Sequence, residues 1–377
     1  MNYIYIVCHS FYDVNGKHQE IGGVQTYVEC LLALSSEMGW HVTILQYSPN
    51  TFNRLLLDGN RLLSWQNRQQ LQSTLAGFMK ENHGLAIYSD YWCVPNVLEH
   101  PCIVLQHGVG WDYSATTLKN PLLKRLNGIR KRINRLILFK KLRKIALEAD
   151  CVLCVDTNFR NWLQATFPFD DWGDRIIYIP NFSQLPSQEA MLARWNKIDT
   201  NLRCIFPRRF AEIRGAILFS NVCVDLAKDF PNVEFGFIGD GECEQKMRRI
   251  LRSVPRVEIY SRAYSEMGEE YLKADIAVIP TLASEGTSLS CIEAMAAGCA
   301  VVATTVGGLG NLIIPGFNGC LCQPSHEQLR SSLQLLFSQP TEVKRLGRNA
   351  RLVAEEALSY QIWKNRVKKV LMEIIEK

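Results

Sequence analysis

The chain has 377 residues, 47% of them hydrophobic, and a formal net charge of +5. This length exceeds one compact core and fits two domains, and the hydrophobic content excludes a disordered protein. No apolar run reaches the roughly 18 residues of a membrane span. The apolar start MNYIYIVCHS has no basic segment before it, so it predicts a β-strand rather than a signal peptide. We therefore expect a cytoplasmic protein, either free or peripheral on the inner face of the cytoplasmic membrane.

Short apolar strands alternate with helices along the whole chain. The strands predicted in the first half are Tyr3–Cys8, Val42–Gln46, Ala86–Ser89, Ile103–Gln106, Cys151–Val155 and Ile176–Ile179, with a helix at Val24–Met38. Those predicted in the second half are Leu202–Phe206, Val233–Ile238, Val257–Tyr260, Ile276–Pro280 and Ala300–Thr304, with helices at Gly215–Asp229, Cys243–Val254 and Ser288–Ala297. This alternation predicts an α/β protein with two doubly wound, Rossmann-like domains, each built on a parallel sheet.

A polar, proline-containing segment, Pro180–Asn201, separates the two halves. We predict an N-terminal, acceptor-binding domain over residues 1–185 and a C-terminal, nucleotide-sugar-binding domain over residues 200–358. Residues 359–377 form an amphipathic helix that could cross back onto the first domain. Ligands of such sheets bind at the carboxyl ends of the strands. If the domains face each other, the loops at those ends line one cleft.

Two glutamates eight positions apart, Glu285 and Glu293, stand in SEGTSLSCIEAMAAGCAVVAT. Glu285 follows an apolar strand in a tight turn, and Glu293 lies about two turns into the next helix. A helix start favours phosphate, and carboxylates are good partners for sugar hydroxyls. The pair therefore predicts a nucleotide-sugar site. The plain alternative is a surface loop glutamate and a helix glutamate paired with an arginine.

The spacing of Glu285 and Glu293 resembles the E-x7-E motif of retaining glycosyltransferases of family GT4, which have the GT-B fold. The continuation AMAAGCAVVATTVGG is also similar to that family, although Gly310 and Asn311 stand where the family usually has Pro-Glu. The resemblance implies that Glu285 contacts donor-sugar hydroxyls near the reacting carbon. It also implies that Glu293 binds the ribose of the nucleotide.

Further positions match the family's pattern. Arg209 and Arg214 in PRRFAEIRG keep the spacing of two cations that neutralise the departing nucleoside diphosphate, with arginine where the family has lysine. Arg208 is the neighbouring alternative, but the spacing favours Arg209; two solvated surface arginines are the plain reading. His107, at the end of an apolar strand, resembles a family histidine that faces the donor sugar or departing group. A histidine that only caps the strand is the alternative.

The resemblance also implies which backbone groups hold the diphosphate. The glycine pair Gly22 and Gly23 is similar to one before the family's first helix, where a missing side chain lets backbone approach a phosphate. A turn without a ligand remains the alternative there. The implied backbone donors of the second half are Gly286, Thr287 and Ser288. No Asp-x-Asp motif occurs in the chain, so we expect no cofactor and no metal.

The segment 119–144 has eleven Lys or Arg residues and no acidic residue. Its leucines and isoleucines recur at helical spacing, which predicts a basic amphipathic helix on an anionic membrane surface. An ordinary helix packing its apolar side on the domain is one alternative. Nucleic acid is another, but no recognition motif accompanies the helix. The predicted membrane-binding cations are Lys124, Arg125, Arg130, Lys131, Arg132, Arg135, Lys140 and Lys141.

Together these features predict a retaining glycosyltransferase with a nucleotide sugar as donor. The expected acceptor is a polyprenyl-diphosphate-linked or other lipid-linked saccharide, as in the assembly of a bacterial O-antigen or capsule. Front-face attack is favoured, and double displacement stays open because no nucleophile stands out. One alternative is a nucleotide-sugar epimerase of the same fold, which leaves the basic helix unexplained. Another is a non-catalytic sugar-nucleotide-binding partner of a second transferase.

Overall fold

The computed structural model describes residues 3–20, 22–110, 121–196, 201–283 and 285–376, without the side chains of residues 57 and 121–131. The chain forms two compact units. Unit 1 consists of Met1–His107, Ser114–Ile179 and Lys364–Lys377. Unit 2 consists of Gly108–Tyr113 and Pro180–Trp363.

Unit 1 contains an eight-stranded sheet. Its strands are β1 Tyr3–Cys8, β2 His41–Tyr47, β3 Phe52–Leu55, β4 Arg61–Trp65, β5 Gly84–Tyr88, β6 Cys102–Gln106, β7 Cys151–Cys154 and β8 Ile176–Tyr178. They lie in the order β3-β4-β2-β1-β5-β6-β7-β8, and every neighbouring pair is parallel except β3 with β4. All six strands predicted for this half are present. The strands β3 and β4, at one edge of the sheet, were not predicted.

Helices of unit 1 follow the strands, as the alternation predicted. They are α1 Gly23–Glu37, α2 Arg68–Glu81, α3 Pro121–Glu148 and α4 Asn158–Thr166, with a short 3-10 helix at Leu57–Gly59. Helix α1 buries Tyr27, Val28 and Leu31, which recur at helical spacing, and this apolar side explains why the segment is helical. Four successive residues of β1, from Ile4 to Val7, are buried, as expected for a strand covered on both faces.

Unit 2 contains a six-stranded, fully parallel sheet in the order β11-β10-β9-β12-β13-β14. Its strands are β9 Arg203–Phe206, β10 Glu234–Ile238, β11 Val257–Tyr260, β12 Ile276–Ile279, β13 Ala300–Thr304 and β14 Gly319–Cys322. The five strands predicted for this half are present, and β14 was not predicted. One core lies on each face of the sheet: Phe206, Phe219 and Phe237 belong to the first, and Ile279 and Met295 to the second.

Seven helices of the described chain accompany this sheet. They are α5 Gln188–Trp195, α6 Ala216–Asp229, α7 Glu244–Ile250, α8 Met267–Lys273, α9 Leu289–Ala296, α10 His326–Phe337 and α11 Pro340–Ala357. Short 3-10 helices lie at Glu212–Arg214, Leu251–Ser253, Tyr264–Glu266 and Gly307–Asn311. The last helix, α12, spans Tyr360–Ile375. Its Trp363 packs on Phe182 within unit 2, whereas Lys364 pairs with Glu37 within unit 1.

The strand order of each sheet reverses direction at one place. In unit 1 the chain leaves β1 toward β2 on one side and later returns to β5 on the other. In unit 2 the corresponding neighbours are β9 and β12. Ligands of open α/β sheets bind outside the carboxyl ends of the strands at such a switch point. The loops after β9 and β12, and those after β1 and β5, are therefore the places to look for a site.

Candidate functional site

The loops at the carboxyl ends of β9, β12 and β13 are fastened to one another. The backbone N–H of Leu282 donates to the carbonyl oxygen of Ile213 at 2.9 Å, which joins the loop after β12 to the loop after β9. The backbone N–H of Gly308 donates to the carbonyl oxygen of Glu285 at 3.0 Å, which joins the same loop to the one after β13. The loop that carries Glu285 is thus held from both sides.

Two glycines permit this close approach of backbones. Gly215 has φ +80°, and a Cβ atom there would lie 2.0 Å from the carbonyl oxygen of Pro280. Gly307 has φ +55°, and a Cβ atom there would lie 1.9 Å from the carbonyl oxygen of Glu285. Both the left-handed backbone and the absence of space exclude a side chain at these positions. These glycines therefore define where the Glu285 loop sits.

The carboxylate of Glu285 lies in a cluster of polar side chains at the switch point. Its Oε2 atom accepts hydrogen bonds from Arg208 Nη2 at 2.7 Å, Arg214 Nη1 at 2.7 Å and Thr281 Oγ1 at 2.9 Å. Arg208 also donates, through Nη1, to the hydroxyl of Thr281. The side chains of Glu285 and Arg208 are 9% and 7% exposed, whereas that of Arg214 is 32% exposed.

The charges of this cluster do not cancel. Burial raises the pKa of Glu285, but Arg208 and Arg214 lower it more, so its pKa lies below the ordinary value and the group is ionised at neutral pH. Burial lowers the pKa of Arg214, against the opposing effect of Glu285, and a guanidinium remains charged at neutral pH. Two cations therefore face one carboxylate. The excess positive charge suits an anionic ligand.

The structure brings Glu285 together with Arg214, as the sequence predicted, but the second arginine in contact is Arg208. Arg209, which the spacing favoured, is exposed, and in the described chain it makes no hydrogen bond to Glu285. Its charge is nevertheless near enough to lower the pKa of Arg214. Thr281, two positions after β12, was not singled out in the sequence, because no spacing rule distinguishes it from other threonines.

The start of α9 lies next to Glu285 in the chain. Ser288 is its N-cap, but the serine side chain makes no capping hydrogen bond. In the part of the chain that the structure describes, its buried Oγ atom has no hydrogen-bond partner. Thr287 is held by Asn181, which donates through its backbone N–H to Thr287 Oγ1 at 3.0 Å and through Nδ2 to the Thr287 carbonyl oxygen at 2.6 Å. No sequence pattern pointed to Asn181.

Glu293 lies on α9 and is contacted by two tyrosines. Tyr264 donates to its Oε1 atom and Tyr271 to its Oε2 atom, both at 2.9 Å. Burial raises the pKa of Glu293, and the two phenols offset only part of this effect. Each carboxylate oxygen retains a second lone pair, so Glu293 can still accept hydrogen bonds from a ligand. Neither tyrosine was predicted, since both lie outside the motif.

The other predicted site residues belong to unit 1. Gly22, in extended conformation, precedes α1, and in the described chain no side chain caps the helix there. The His107 ring follows β6 and packs edge-on against Tyr27, with 5.4 Å between ring centroids. Burial lowers the pKa of His107 to about 4, although a hydrogen bond with the Ser89 backbone raises it. His107 is therefore neutral at pH 7.

A cavity of about 630 Å³ lies at the carboxyl ends of β1, β2 and β4 in unit 1, and Trp92 and Cys93 from the loop after β5 also line it. Two exposed aromatic rings and several amide side chains contribute to its wall. Beside it, burial raises the pKa of Asp90 to about 6, against a hydrogen bond from the Trp92 backbone. Exposed aromatic faces and amides are a suitable lining for a saccharide. Its lining includes His9, Tyr47, Asn67, Arg68, Gln72 and Trp92.

The second half of α3 presents apolar side chains to solvent. Ile133, Leu136 and Ile137 are 52%, 62% and 62% exposed. Lys141, by contrast, donates to the carbonyl oxygen of Val94 at 3.2 Å, a structural partner that the sequence did not predict. Of the other predicted cations, Arg132, Arg135 and Lys140 are exposed, and the side chains of Lys124, Arg125, Arg130 and Lys131 lie outside the described residues. Within the described ranges, no helix is long and apolar enough to cross a membrane.

The chain is similar in sequence and in structure to known proteins. Residues 201–339 match the family model for Glycosyl transferases group 1. Over 348 residues the chain is 24% identical to the uncharacterized glycosyltransferase MJ1178 of Methanocaldococcus jannaschii, covering 88% of this chain and 89% of that protein. Sucrose-phosphate synthase from Thermosynechococcus elongatus superposes with a TM-score of 0.74 at 18% identity, covering 100% of both chains. Anabaena Alr3699/HepE in complex with UDP superposes with a TM-score of 0.71 at 15% identity, covering 99% of this chain and 100% of that one.

These similarities confirm the predicted GT-B fold with its two Rossmann-like sheets. Residues 201–339, which match the group 1 model, include Arg208, Arg214, Glu285 and Glu293. Sequence similarity to a glycosyltransferase covers 88% of the chain, and the part that matches the group 1 model contains the charged cluster of unit 2. This similarity supports glycosyltransferase activity.

Proposed function

We propose that the chain is a retaining glycosyltransferase of the GT4 type, which transfers a sugar from a nucleoside diphosphate to a lipid-linked saccharide. The observation that carries this proposal is the Glu285 carboxylate with two guanidinium groups at the switch point of unit 2. Beside it lies a helix start whose N-cap hydroxyl, that of Ser288, is buried and unused in the described structure. Such a place fits a diphosphate and an adjoining sugar.

The donor roles follow from the chemistry of each group. Arg214 and the first turn of α9, with Gly286, Thr287 and Ser288 before it, stabilise the negative charge of the diphosphate. Arg209, exposed at the same loop, adds to this positive field. Glu285 accepts hydrogen bonds from the donor sugar, and Glu293 accepts them from the ribose. Alr3699/HepE was solved with UDP, which makes UDP the first nucleotide to test.

In the proposed reaction the bond between the anomeric carbon and the diphosphate oxygen breaks, and its electron pair leaves with the phosphate. The acceptor hydroxyl oxygen bonds to the anomeric carbon from the same face, and its proton passes to the departing phosphate oxygen. Guanidinium groups and helix N–H groups stabilise the leaving group without a metal ion. Neutral His107 can hydrogen-bond to the sugar or the leaving group but holds no proton to give as an imidazolium.

The acceptor side of the proposal rests on unit 1. Its cavity with Tyr47 and Trp92 has the size and lining for a saccharide end, and Gly22 and Gly23 begin an uncapped helix. The exposed isoleucines and leucine of α3, flanked by Arg132 and Lys140, fit the interface of an anionic membrane. An acceptor fixed in that membrane by a lipid diphosphate, as in bacterial surface-polysaccharide assembly, would then be within reach of a peripheral enzyme.

A donor screen tests the proposal. The protein is incubated with UDP-, GDP- and dTDP-sugars in the presence of a polyprenyl-diphosphate saccharide, with and without EDTA, and release of nucleoside diphosphate is measured. We expect release that depends on acceptor and resists EDTA, and a product whose anomeric proton coupling matches that of the donor. An epimerised sugar formed from donor alone would favour the epimerase alternative. Inverted product configuration would contradict retention.

Vesicle binding tests the proposed attachment of α3 to an anionic membrane. Replacing Arg132, Arg135 and Lys140 by Gln should weaken binding to anionic vesicles by up to about 100-fold, since each cation contributes about 1 kcal/mol. Replacing the exposed apolar residues of α3 by Ser should also weaken binding. The charge-matched control replaces three exposed cations of unit 2, Lys228, Lys246 and Lys344. Equal loss in the control and in the α3 variants would reject a role for this helix.

A further inference from the structure

Two arginines share one oxygen of Glu285, but they are held very differently. Arg208 is 7% exposed and is fixed a second time by Thr281, whereas Arg214 is 32% exposed. We propose that Arg208 is a positioning residue of the donor site: it keeps hold of Glu285 while Arg214 moves from Glu285 to the diphosphate of the donor. This inference rests on the proposed function, because it requires a diphosphate ligand.

Arg208 is immobilised from its backbone to its guanidinium. Gly239, with φ +152°, approaches so closely that a Cβ atom there would lie 2.3 Å from the carbonyl oxygen of Arg208. At the other end of the side chain, the Thr281 hydroxyl accepts from Arg208 and donates to Glu285 at 2.9 Å. The carbonyl oxygen of Thr281 in turn accepts from Thr304 Oγ1 at 2.5 Å. Arg208 is therefore held both at its backbone and at its guanidinium.

Arg214 is more exposed than Arg208. It lies in the short 3-10 helix before α6, and its side chain reaches solvent. When a diphosphate arrives, its negative charge exceeds that of Glu285 and draws this guanidinium away. Glu285 would then stand next to an anion in a buried position. Arg208, together with the Thr281 hydroxyl, keeps it paired, so the carboxylate remains ionised and able to accept a hydrogen bond from the sugar.

Among the described residues, few groups face Glu285. Arg208 and Arg214 come from the loop after β9, and Thr281 comes from the end of β12. The Cys291 thiol of α9 is the other titratable neighbour, and burial raises its pKa to about 12, so it stays neutral. If Arg208 is removed, the effect of burial on Glu285 is opposed only by Arg214 and the Thr281 hydroxyl among these groups. We then expect the folded-state pKa of Glu285 to rise above its unfolded-state value.

Thermal unfolding as a function of pH tests this without any need for activity. In the wild type the pKa of Glu285 is lowered by folding, so its contribution to stability is present above the unfolded-state pKa and is lost as pH falls through the folded-state pKa. In Arg208→Gln the ionised Glu285 destabilises the fold, and this effect disappears on acidification. The difference in Tm between wild type and Arg208→Gln should therefore be about 6 °C or more at pH 8 and much smaller at pH 5.

Two control variants test whether the pH dependence comes from the contact between Arg208 and Glu285. Arg209→Gln removes the same charge one position along the chain, and its Tm difference from wild type should not vary with pH. In a Glu285→Gln background, Arg208→Gln should have an effect that does not vary with pH either. A Tm difference for Arg208→Gln that is equal at pH 5 and pH 8 overturns the inference. It would mean that Arg208 acts only through packing.

Binding and turnover separate the two arginines. We expect Arg214→Gln to weaken UDP binding at least 10-fold and Arg208→Gln to change it less than 3-fold, about 0.65 kcal/mol. In Arg208→Gln, kcat should fall, and the acid limb of its pH profile should move to higher pH as the pKa of Glu285 rises. Equal weakening of UDP binding by both variants would overturn the division of roles. Failure of the wild type to bind any nucleoside diphosphate would refute the proposed function, while the Tm comparison would still decide whether Arg208 holds Glu285.

Discussion

Gly307→Ala should displace the carboxylate of Glu285, the proposed donor-sugar contact, by pushing on the backbone of Glu285. The added Cβ atom would lie 1.9 Å from the carbonyl oxygen and 2.8 Å from the carbonyl carbon of Glu285. These are backbone atoms, so no side-chain rotation relieves the contact. The loop after β12 must move away from the loop after β13. The hydrogen bond from the Gly308 N–H to the same carbonyl oxygen, now 3.0 Å, would be broken by that movement.

The expected loss of stability has three parts. The left-handed backbone at φ +55° costs an alanine about 1–2 kcal/mol, of which the stiffer unfolded chain returns about 0.5. The lost hydrogen bond contributes about 1 kcal/mol. Displacement of Glu285 from its arginines adds about 1 kcal/mol or more. A total of about 3 kcal/mol lowers the Tm of a unit of this size by roughly 6–12 °C.

Two other glycines of the same region serve as controls. Gly316 has φ +74° but open space around it, so Gly316→Ala measures the backbone cost alone, and its Tm should fall by about 1–5 °C. Gly310 has neither constraint, so Gly310→Ala should leave the Tm unchanged. Circular dichroism melts give the Tm values. Transfer should fall about 100-fold in Gly307→Ala alone, since a displacement of about 1 Å at a catalytic group costs that much. If Gly307→Ala has the same Tm as Gly316→Ala and retains full turnover, the reasoning is refuted.

Three further predictions concern the charged groups. Glu285→Ala should abolish transfer and lower the Tm by about 6 °C or more in thermal melts, because it leaves Arg208 and Arg214 facing each other; an unchanged Tm would contradict the buried cluster. Arg214→Ala should weaken UDP binding about 10- to 100-fold in calorimetry, the value of a charge-assisted hydrogen bond, and unaltered affinity would remove it from the donor site. Wild-type UDP affinity should rise with pH as Glu293, whose pKa is raised by burial, ionises to receive the ribose hydroxyls; Glu293→Gln should abolish that rise, and a persisting slope would assign it to another group.

The buried strands were readable from the sequence because both of their faces are covered. Runs such as Ile4–Val7 and Ile276–Ile279 are apolar at every position, as expected for short strands covered on both faces of a parallel sheet. The predicted ends differ from the observed ones by one or two residues, as at Cys151–Val155, observed as Cys151–Cys154. Strand ends depend on ladder hydrogen bonds, which leave no mark on composition.

The strands that were missed lie near sheet edges and carry a weaker pattern. In β3, Asn53, Arg54 and Leu55 are exposed, so no apolar face identifies the segment. In β14, the sequence GCLC is short and starts with glycine, which usually weakens a strand. Both are paired on one side only, and their positions follow from the neighbouring strand rather than from their own residues.

The candidate site was predictable where its residues belong to one local pattern. Glu285 is placed by a strand, a turn and a helix start that all lie within a few residues. Arg208 and Arg209 show the limit of such reasoning. Both follow β9, and the spacing to Arg214 selects Arg209, yet the side chain that reaches Glu285 is that of Arg208. The side chains of successive residues in an extended chain point in opposite directions. Which of the two points toward the loop after the neighbouring strand depends on the order of strands in the sheet.

The contact between Arg208 and Glu285 joins positions 77 residues apart, and the strand order makes it possible. Because β9 and β12 are neighbours, the loops that follow them end at the same edge of the sheet. Gly215 and Gly307 then let these loops and the loop after β13 approach within hydrogen-bonding distance. A carboxylate flanked by two guanidinium groups could not be held so precisely by one flexible loop. Sheet topology and glycine placement together therefore set the charge balance of the site. For this reason, substitution of a glycine such as Gly307, which carries no charge, should affect catalysis as strongly as loss of a charged group.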